Sequence, residues 1–183
     1  MLFSGISNYA PIKKSPGDID RLIDVYHEDA VLRTFILFVQ TARSVLKYAD
    51  SRLYRKARLS VVKLIALRAL ASNNGVMTPT QIAEWTQTEP HNMTGLIDRM
   101  RQDGLVTAER DSSDRRLVNV ALTDKGQEVL SQAMLVAREV VNQVMSSIAE
   151  GDAALLEKQL RALRQNTHCG LEGLANRPRP QPS

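Results

Sequence analysis

The apolar positions of this chain run first at helical spacing, then at alternate residues, then at helical spacing again. After Asp18, Ile19, Leu22, Ile23 and Tyr26 recur every three or four residues, and the pattern resumes at Val31, Leu32, Phe35, Ile36, Phe38, Val39, Ala42, Val45 and Leu46. This predicts one long helix, or two with a break near Glu28-Asp29, carrying a stripe broad enough for more than one neighbour. Val61, Val62, Leu64, Ile65, Leu67, Ala69 and Leu70 predict another helix, ended by the breaker cluster Ser72-Asn73-Asn74-Gly75. Thr78-Pro79-Thr80-Gln81 then reads as a helix start. Threonine is a natural N-cap, proline at the first helical position loses no needed N–H, and glutamine three residues after the cap completes a capping box. The short helix that follows is expected to turn Ile82, Ala83 and Trp85 inward. After a turn at Thr86-Gln87-Thr88, Glu89-Pro90 opens a further helix with Met93, Leu96, Ile97 and Met100 on one face. Gly104 supplies its C′ position, where a left-handed conformation costs little.

The period then changes. Residues 105–110 read as a strand and Asp111-Ser112-Ser113-Asp114 as a turn. Residues 116–122 read as a second strand, with Val118, Val120 and Leu122 alternating on one face. Thr123 caps a long helix whose apolar face runs from Val129 to Ile148. Some 25 residues at 1.5 Å each span roughly 38 Å, long enough for part of that face to pack outside its own globule. Glu150-Gly151-Asp152 is expected to break it, before a last helix over residues 153–168 with Leu155, Leu156, Leu160 and Leu163 inward. Residues 1–17 read as an irregular arm, and the Pro-rich residues 176–183 as a disordered tail. The fold class is mostly α with a small β-hairpin wing. A winged helix-turn-helix lobe over residues 59–122 lies between flanking helices at 18–58 and 123–175.

Composition narrows the functions such a lobe can serve. Aromatic residues make up only 4% of the chain, which argues against an aromatic-lined cofactor cavity or an RNA stacking platform. The net charge of +4 inclines modestly towards a polyanionic partner. A run of basic residues, Arg43, Lys47, Arg52, Arg55, Lys56, Arg58, Lys63 and Arg68, faces Asp50 as its lone acid and reads first as a solvated helix face. The single cysteine, Cys169, allows no intramolecular disulfide and fits the reducing cytosol as an inert thiol. The first residues lack a basic segment followed by an apolar one, and no run approaches the roughly 20 apolar residues of a membrane span. A cytoplasmic protein with no membrane partner is expected. His27, His91 and His168 are far apart, and there is no Gly-rich phosphate loop or nucleophile elbow. No catalytic residue, metal site or cofactor is assigned, and the chain does not read as an enzyme.

The second helix of a helix-turn-helix offers its N-terminal residues to the major groove of double-stranded DNA. With Met93, Leu96, Ile97 and Met100 inward, His91, Thr94, Gly95, Asp98 and Gln102 point away, and Asn92 and Arg99 lie on the flank. Asparagine can pair bidentately with adenine, and threonine can offer a hydroxyl to a base or a methyl to thymine. His91 can donate to a guanine or a phosphate. Gly95 lets the backbone come close, and Arg99 reaches towards a phosphate. The helix starts, with Thr78, Thr80 and Thr88, are placed to meet phosphates. Arg115 and Arg116 at the hairpin tip suit the negative potential of the minor groove. Asp111 and Asp114 would support that wing by shaping the turn and orienting the guanidinium groups. The bland reading is a winged helix used only as a protein-interaction adaptor, without specific DNA binding.

The run Pro90-His91-Asn92-Met93-Thr94-Gly95-Leu96-Ile97-Asp98-Arg99-Met100, closing with Asp103-Gly104-Leu105-Val106, resembles the recognition helix of the MarR family. Arg110-Asp111-Ser112-Ser113-Asp114-Arg115-Arg116, then Val118, Val120 and Leu122-Thr123-Asp124-Lys125-Gly126, is similar to the family's wing and its exit into the next helix. The resemblance runs in register from about residue 60 to residue 130, and the flanks share only the helical layout. It implies a bacterial transcription regulator, a repressor acting as a homodimer on a pseudo-palindromic operator. Its terminal helices would form the dimer interface, and a small aromatic effector would release it from DNA. Two positions depart from the family. Gly95 stands where an arginine is frequent, which removes one potential DNA contact. Cys169 lies near the C-terminus, whereas the oxidant-sensing branch carries its cysteine near the N-terminus.

Overall fold

The computed structural model describes residues 29–112, 114 and 116–175. The arm expected over 1–17, the helical pattern over 19–26, Arg115 and the tail over 176–183 lie outside the described residues. The chain divides into two compact units, residues 1–140 and 141–183.

In the first unit, α1 (Ala30–Ala57) starts where the pattern suggested a break: the Asp29 carboxylate caps it by accepting the Leu32 N–H at 2.9 Å. It ends at Arg58, whose φ of 54° is left-handed. α2 (Val61–Ser72) follows at once. Ser60 accepts the Lys63 amide at 3.3 Å and Asp50 the Val61 amide at 2.7 Å, so two of the orphan N–H groups of its first turn are satisfied. α3 (Pro79–Thr86) carries the full capping box: Gln81 N–H donates to the Thr78 hydroxyl and Thr78 N–H donates to Gln81 Oε1 at 2.8 Å. α4 (Pro90–Gln102) and α5 (Asp124–Met145) complete the helices of this unit's core.

The hairpin is part of a three-stranded antiparallel sheet in the order β1 (Val76–Met77), β3 (Val118–Leu122), β2 (Val106–Arg110). The register pairs Val106 with Leu122, Arg110 with Val118, and Met77 with Val120. The additional strand β1 is two residues long, too short for any periodicity to reveal. It is turned into place by Asn74 (φ 56°) and Gly75 (φ 81°), and Gly75 O accepts the Leu122 amide.

One apolar core joins Leu53 of α1, Leu67 and Leu70 of α2, Ile82 of α3, Met93 and Met100 of α4, Val120 of β3, and Leu130, Ala133 and Val136 of α5. Among the described residues no polar or charged side chain is fully buried. α1 and α5 are also tied at the surface, where Arg52 and Lys56 both reach Glu139 at 2.7 Å. The Lys56 hydrogen bond, joined by Arg52, holds the Glu139 carboxyl below its ordinary value of 4.5.

Trp85, expected inward, is 55% exposed. The inward arc of α3 is filled by Ile82, Ala83 and half-buried Thr86, and residue 85 falls outside it at 100° per residue. The strands begin one and two residues later than expected, because Leu105 and residues 116–117 belong to the turns at their ends.

In the second unit, α6 (Glu150–Ala175) begins at the residues expected to break the preceding helix. The interruption lies at residues 146–149, where Ile148 N–H bonds Met145 O in a tight turn. Glu150 and Asp152 instead sit in a first helical turn, where acidic residues complement the helix dipole. Leu155, Leu156, Leu160 and Leu163, expected inward, are exposed, as are Leu171 and Leu174. In α1, too, Val31, Phe35, Phe38 and Leu46 are exposed, and only Leu53 is buried.

Candidate nucleic-acid interface

α3 and α4 are joined by Gln87, Thr88 and Glu89. Gln87 takes the left-handed conformation (φ 51°) and Thr88 N–H returns to Ala83 O at 3.0 Å, a helix end that reverses the chain tightly. α4 then divides cleanly. Met93, Leu96, Ile97 and Met100 are buried, whereas His91, Asn92, Thr94, Arg99 and Gln102 are exposed and Asp98 and Gly95 half-exposed. The helix opens at Glu89 with no side-chain cap.

The three threonines at the helix starts differ. The Thr78 hydroxyl is engaged in the capping box and also donates to Gln81 Oε1 at 3.2 Å. Thr88 reaches Thr86 O at 3.5 Å. Thr80 is exposed in the first turn of α3.

In the wing, Asp111 Oδ1 accepts the Asp114 amide at 3.1 Å and its Oδ2 accepts the Asn119 side-chain amide at 2.7 Å. Asp114 Oδ1 accepts the Arg116 amide at 2.9 Å. Both aspartates accept amide N–H groups that shape the turn, and Arg116 is exposed at its end. Asn119 is a wing-supporting residue that the sequence did not single out.

A further set of residues, also not singled out as a group, ends the recognition helix. Lys63 of α2 pairs with the Asp103 carboxylate. Lys125 Nζ donates to Asp103 O at 2.7 Å, the Thr123 hydroxyl donates to Gly104 O at 2.8 Å, and Thr123 N–H donates to Leu105 O at 3.2 Å. Gly104 has φ 72°, the left-handed value expected of a C′ glycine.

Residues 59–117 match the model of a family described as the MarR family. Over 154 residues the chain is 25% identical to the HTH-type transcriptional repressor NicR of Pseudomonas putida, covering 84% of this chain and 89% of that protein. It is 31% identical over 71 residues to the uncharacterized HTH-type transcriptional regulator YsmB of Bacillus subtilis, 39% of this chain and 49% of YsmB, so that match spans about half the relative's length. Residues 59–117 are thus similar to a MarR-family domain. The organohalide-sensing transcriptional regulator RdhR-CbdbA1625, solved with 2,4-dichlorophenol bound, shares the fold with a TM-score of 0.71 at 24% identity, over 87% of this chain and 90% of that one.

The matched segment contains α3, α4 and β2, the helix pair and the first strand of the wing. Among the described residues of the chain no group of three or more His, Cys, Asp or Glu could hold a metal ion, and no helix is long and apolar enough to cross a membrane.

Gly95 has a local consequence within α4. A Cβ placed there would lie 3.5 Å from Arg99 Nη1, so the guanidinium folds back one turn over the glycine. Arg99 makes no ion pair with a described residue, whereas Arg101 pairs with Asp98 at 3.3 Å. A methyl at 95 fits sterically and removes the helix penalty of glycine, so Gly95→Ala is expected to raise stability by up to about 1 kcal/mol. Operator affinity is expected to fall at the same time, if the bare backbone is what lets DNA approach. Urea unfolding and fluorescence anisotropy on the same variant separate the two effects, and equal operator affinity would remove close approach as the role of Gly95.

Proposed function

We propose that this protein is a cytoplasmic repressor that binds a pseudo-palindromic operator as a homodimer. Its two recognition helices, α4 of each copy, enter successive major grooves roughly 34 Å apart. Support comes above all from the division of α4, whose apolar arc is buried while His91, Asn92, Thr94 and Arg99 stand exposed on one accessible side. Asn92, Thr94 and His91 read base edges, and Arg99, Thr80, Thr88 and the cap at Thr78 meet the backbone. Arg115 and Arg116 enter the minor groove on a wing held by Asp111 and Asp114. The flanking regions, 18–58 and 123–175, supply the dimer contacts, for which the exposed apolar residues of α1 and of α6 are suited.

A small aromatic effector releases the protein by favouring a dimer whose helix spacing mismatches the operator. The phenol held by RdhR-CbdbA1625 is of this chemical class.

Titration with random duplex at low salt is expected to give binding that weakens steeply as salt is added. No binding under those conditions would favour a protein-binding adaptor. The double variant Arg115→Ala, Arg116→Ala is expected to weaken DNA binding and make the slope of log K against log salt shallower by up to about 2, since each phosphate contact contributes about 0.9. An unchanged slope would take the wing out of the interface.

A further inference from the structure

The recognition helix does not end freely. The last carbonyls of a helix lack intrahelical partners and carry its partial negative charge. In α4 the carbonyls of Arg99, Met100 and Arg101 are closed by the backbone N–H groups of Asp103, Leu105 and Gly104; the carbonyls of Asp103, Gly104 and Leu105, in the turn that leaves the helix, face the start of α5 and are taken by Lys125 Nζ, the Thr123 hydroxyl and the Thr123 amide. The same Thr123 hydroxyl accepts the Gly126 amide at 2.9 Å as the cap of α5, so one oxygen caps α5 and holds the turn that leaves α4. The contact is close because residue 126 has no side chain; a Cβ there would lie 2.1 Å from Leu105 O. Lys63 fixes the Asp103 side chain from the α2 side. Downstream, α5 places Leu130, Ala133 and Val136 in the core.

We propose that Thr123 and Lys125 are positioning residues for operator reading: they staple the end of the recognition helix to the start of α5, so that the direction of α4 is set by α5. Neither residue touches DNA in this role. The staple transmits the orientation of α5 to the reading face, and with it the distance at which two recognition helices present themselves. This rests on the dimeric operator reading proposed above.

The test uses the full chain and a duplex recovered from a random library by the wild-type protein, together with the same duplex carrying one base pair inserted or deleted at its centre. Thr123→Val removes the hydroxyl and keeps the shape, and Lys125→Met keeps the stem of an exposed side chain, so neither empties the core. Lys125→Met is expected to reduce the preference for the selected spacing by about 10-fold, the factor that one charge-assisted hydrogen bond can supply, and Thr123→Val, which loses a neutral one, by about 5-fold. Binding to random duplex and its salt slope are expected to stay at wild-type values, and Thr123→Ser and Lys125→Arg are expected to restore the preference. Unchanged spacing preference in both variants would overturn the staple as a positioning device. A salt slope shallower by about 0.9 in Lys125→Met would overturn it for that residue by making Lys125 a phosphate contact. A wild-type protein with no spacing preference would overturn the dimeric reading itself, and the staple's role with it.

Discussion

Gly126→Ala is expected to be the most damaging single methyl addition in the described part of the chain. Its Cβ would lie 2.1 Å from the Leu105 carbonyl oxygen and 2.8 Å from Leu122 Cδ1. Leucine 122 can rotate away, but Leu105 O is backbone, held between the end of α4 and β2 and already bonded to Thr123 N–H. Relief therefore requires α5 to move off the turn that leaves α4, which breaks the three hydrogen bonds to the carbonyls of residues 103–105 and disturbs the packing of Leu130 and Ala133. Overpacking of this kind costs about 3 kcal/mol or more, a large part of the 5–15 kcal/mol that holds an ordinary domain together. Urea unfolding should show the midpoint falling steeply. Gly151→Ala is the matched control: nothing lies within 4 Å of its Cβ and it sits in the first turn of α6, so a small gain is expected. Equal midpoints for the two variants would mean that the approach of α5 to Leu105 is not tight.

The asymmetry between those two glycines also shows what the sequence could and could not disclose. Local rules were sufficient wherever one element carried its own signal. The 3.6-residue recurrence of Met93, Leu96, Ile97 and Met100 gave the buried face of α4, and Thr78-Pro79-Thr80-Gln81 gave the start and cap of α3. The alternation at Val118, Val120 and Leu122 gave β3. Signals failed where the deciding contact is distant or the element too brief. β1 owes its existence to pairing with Val120 and Ala121, more than forty residues away. Trp85 was read inward because it is large and apolar, yet an eight-residue helix has room for only two or three inward positions. The interruption before α6 was placed on a glycine, although an isolated glycine in a first turn breaks nothing when acidic neighbours favour the helix start. Thr123 and Lys125 look like an ordinary helix start in sequence, and only the fold brings them to the carbonyls of residues 103–105.

Phe35→Asp is expected to convert the proposed dimer to a monomer without unfolding the chain. Phe35 is 59% exposed and lies on the same stripe of α1 as Val31, Phe38 and Leu46, which are exposed as well. A truncation there leaves no cavity in the core, because Leu53 is the residue through which α1 is fully buried. In a two-fold symmetric interface one substitution acts twice. Each aspartate would have to be desolvated against apolar neighbours, at a cost of several kcal/mol per copy. Loss of the dimer converts bivalent binding to binding by single half-sites, and the effective concentration that links the two lobes contributes about 10²–10⁴-fold in affinity. Sedimentation should therefore show half the wild-type mass, urea unfolding a folded chain, and anisotropy a matching fall in operator affinity with weak random-duplex binding retained. A variant that sediments as a dimer and binds the operator normally would place the interface away from the α1 stripe. A variant that is monomeric yet binds with full affinity would show that a single winged helix is sufficient.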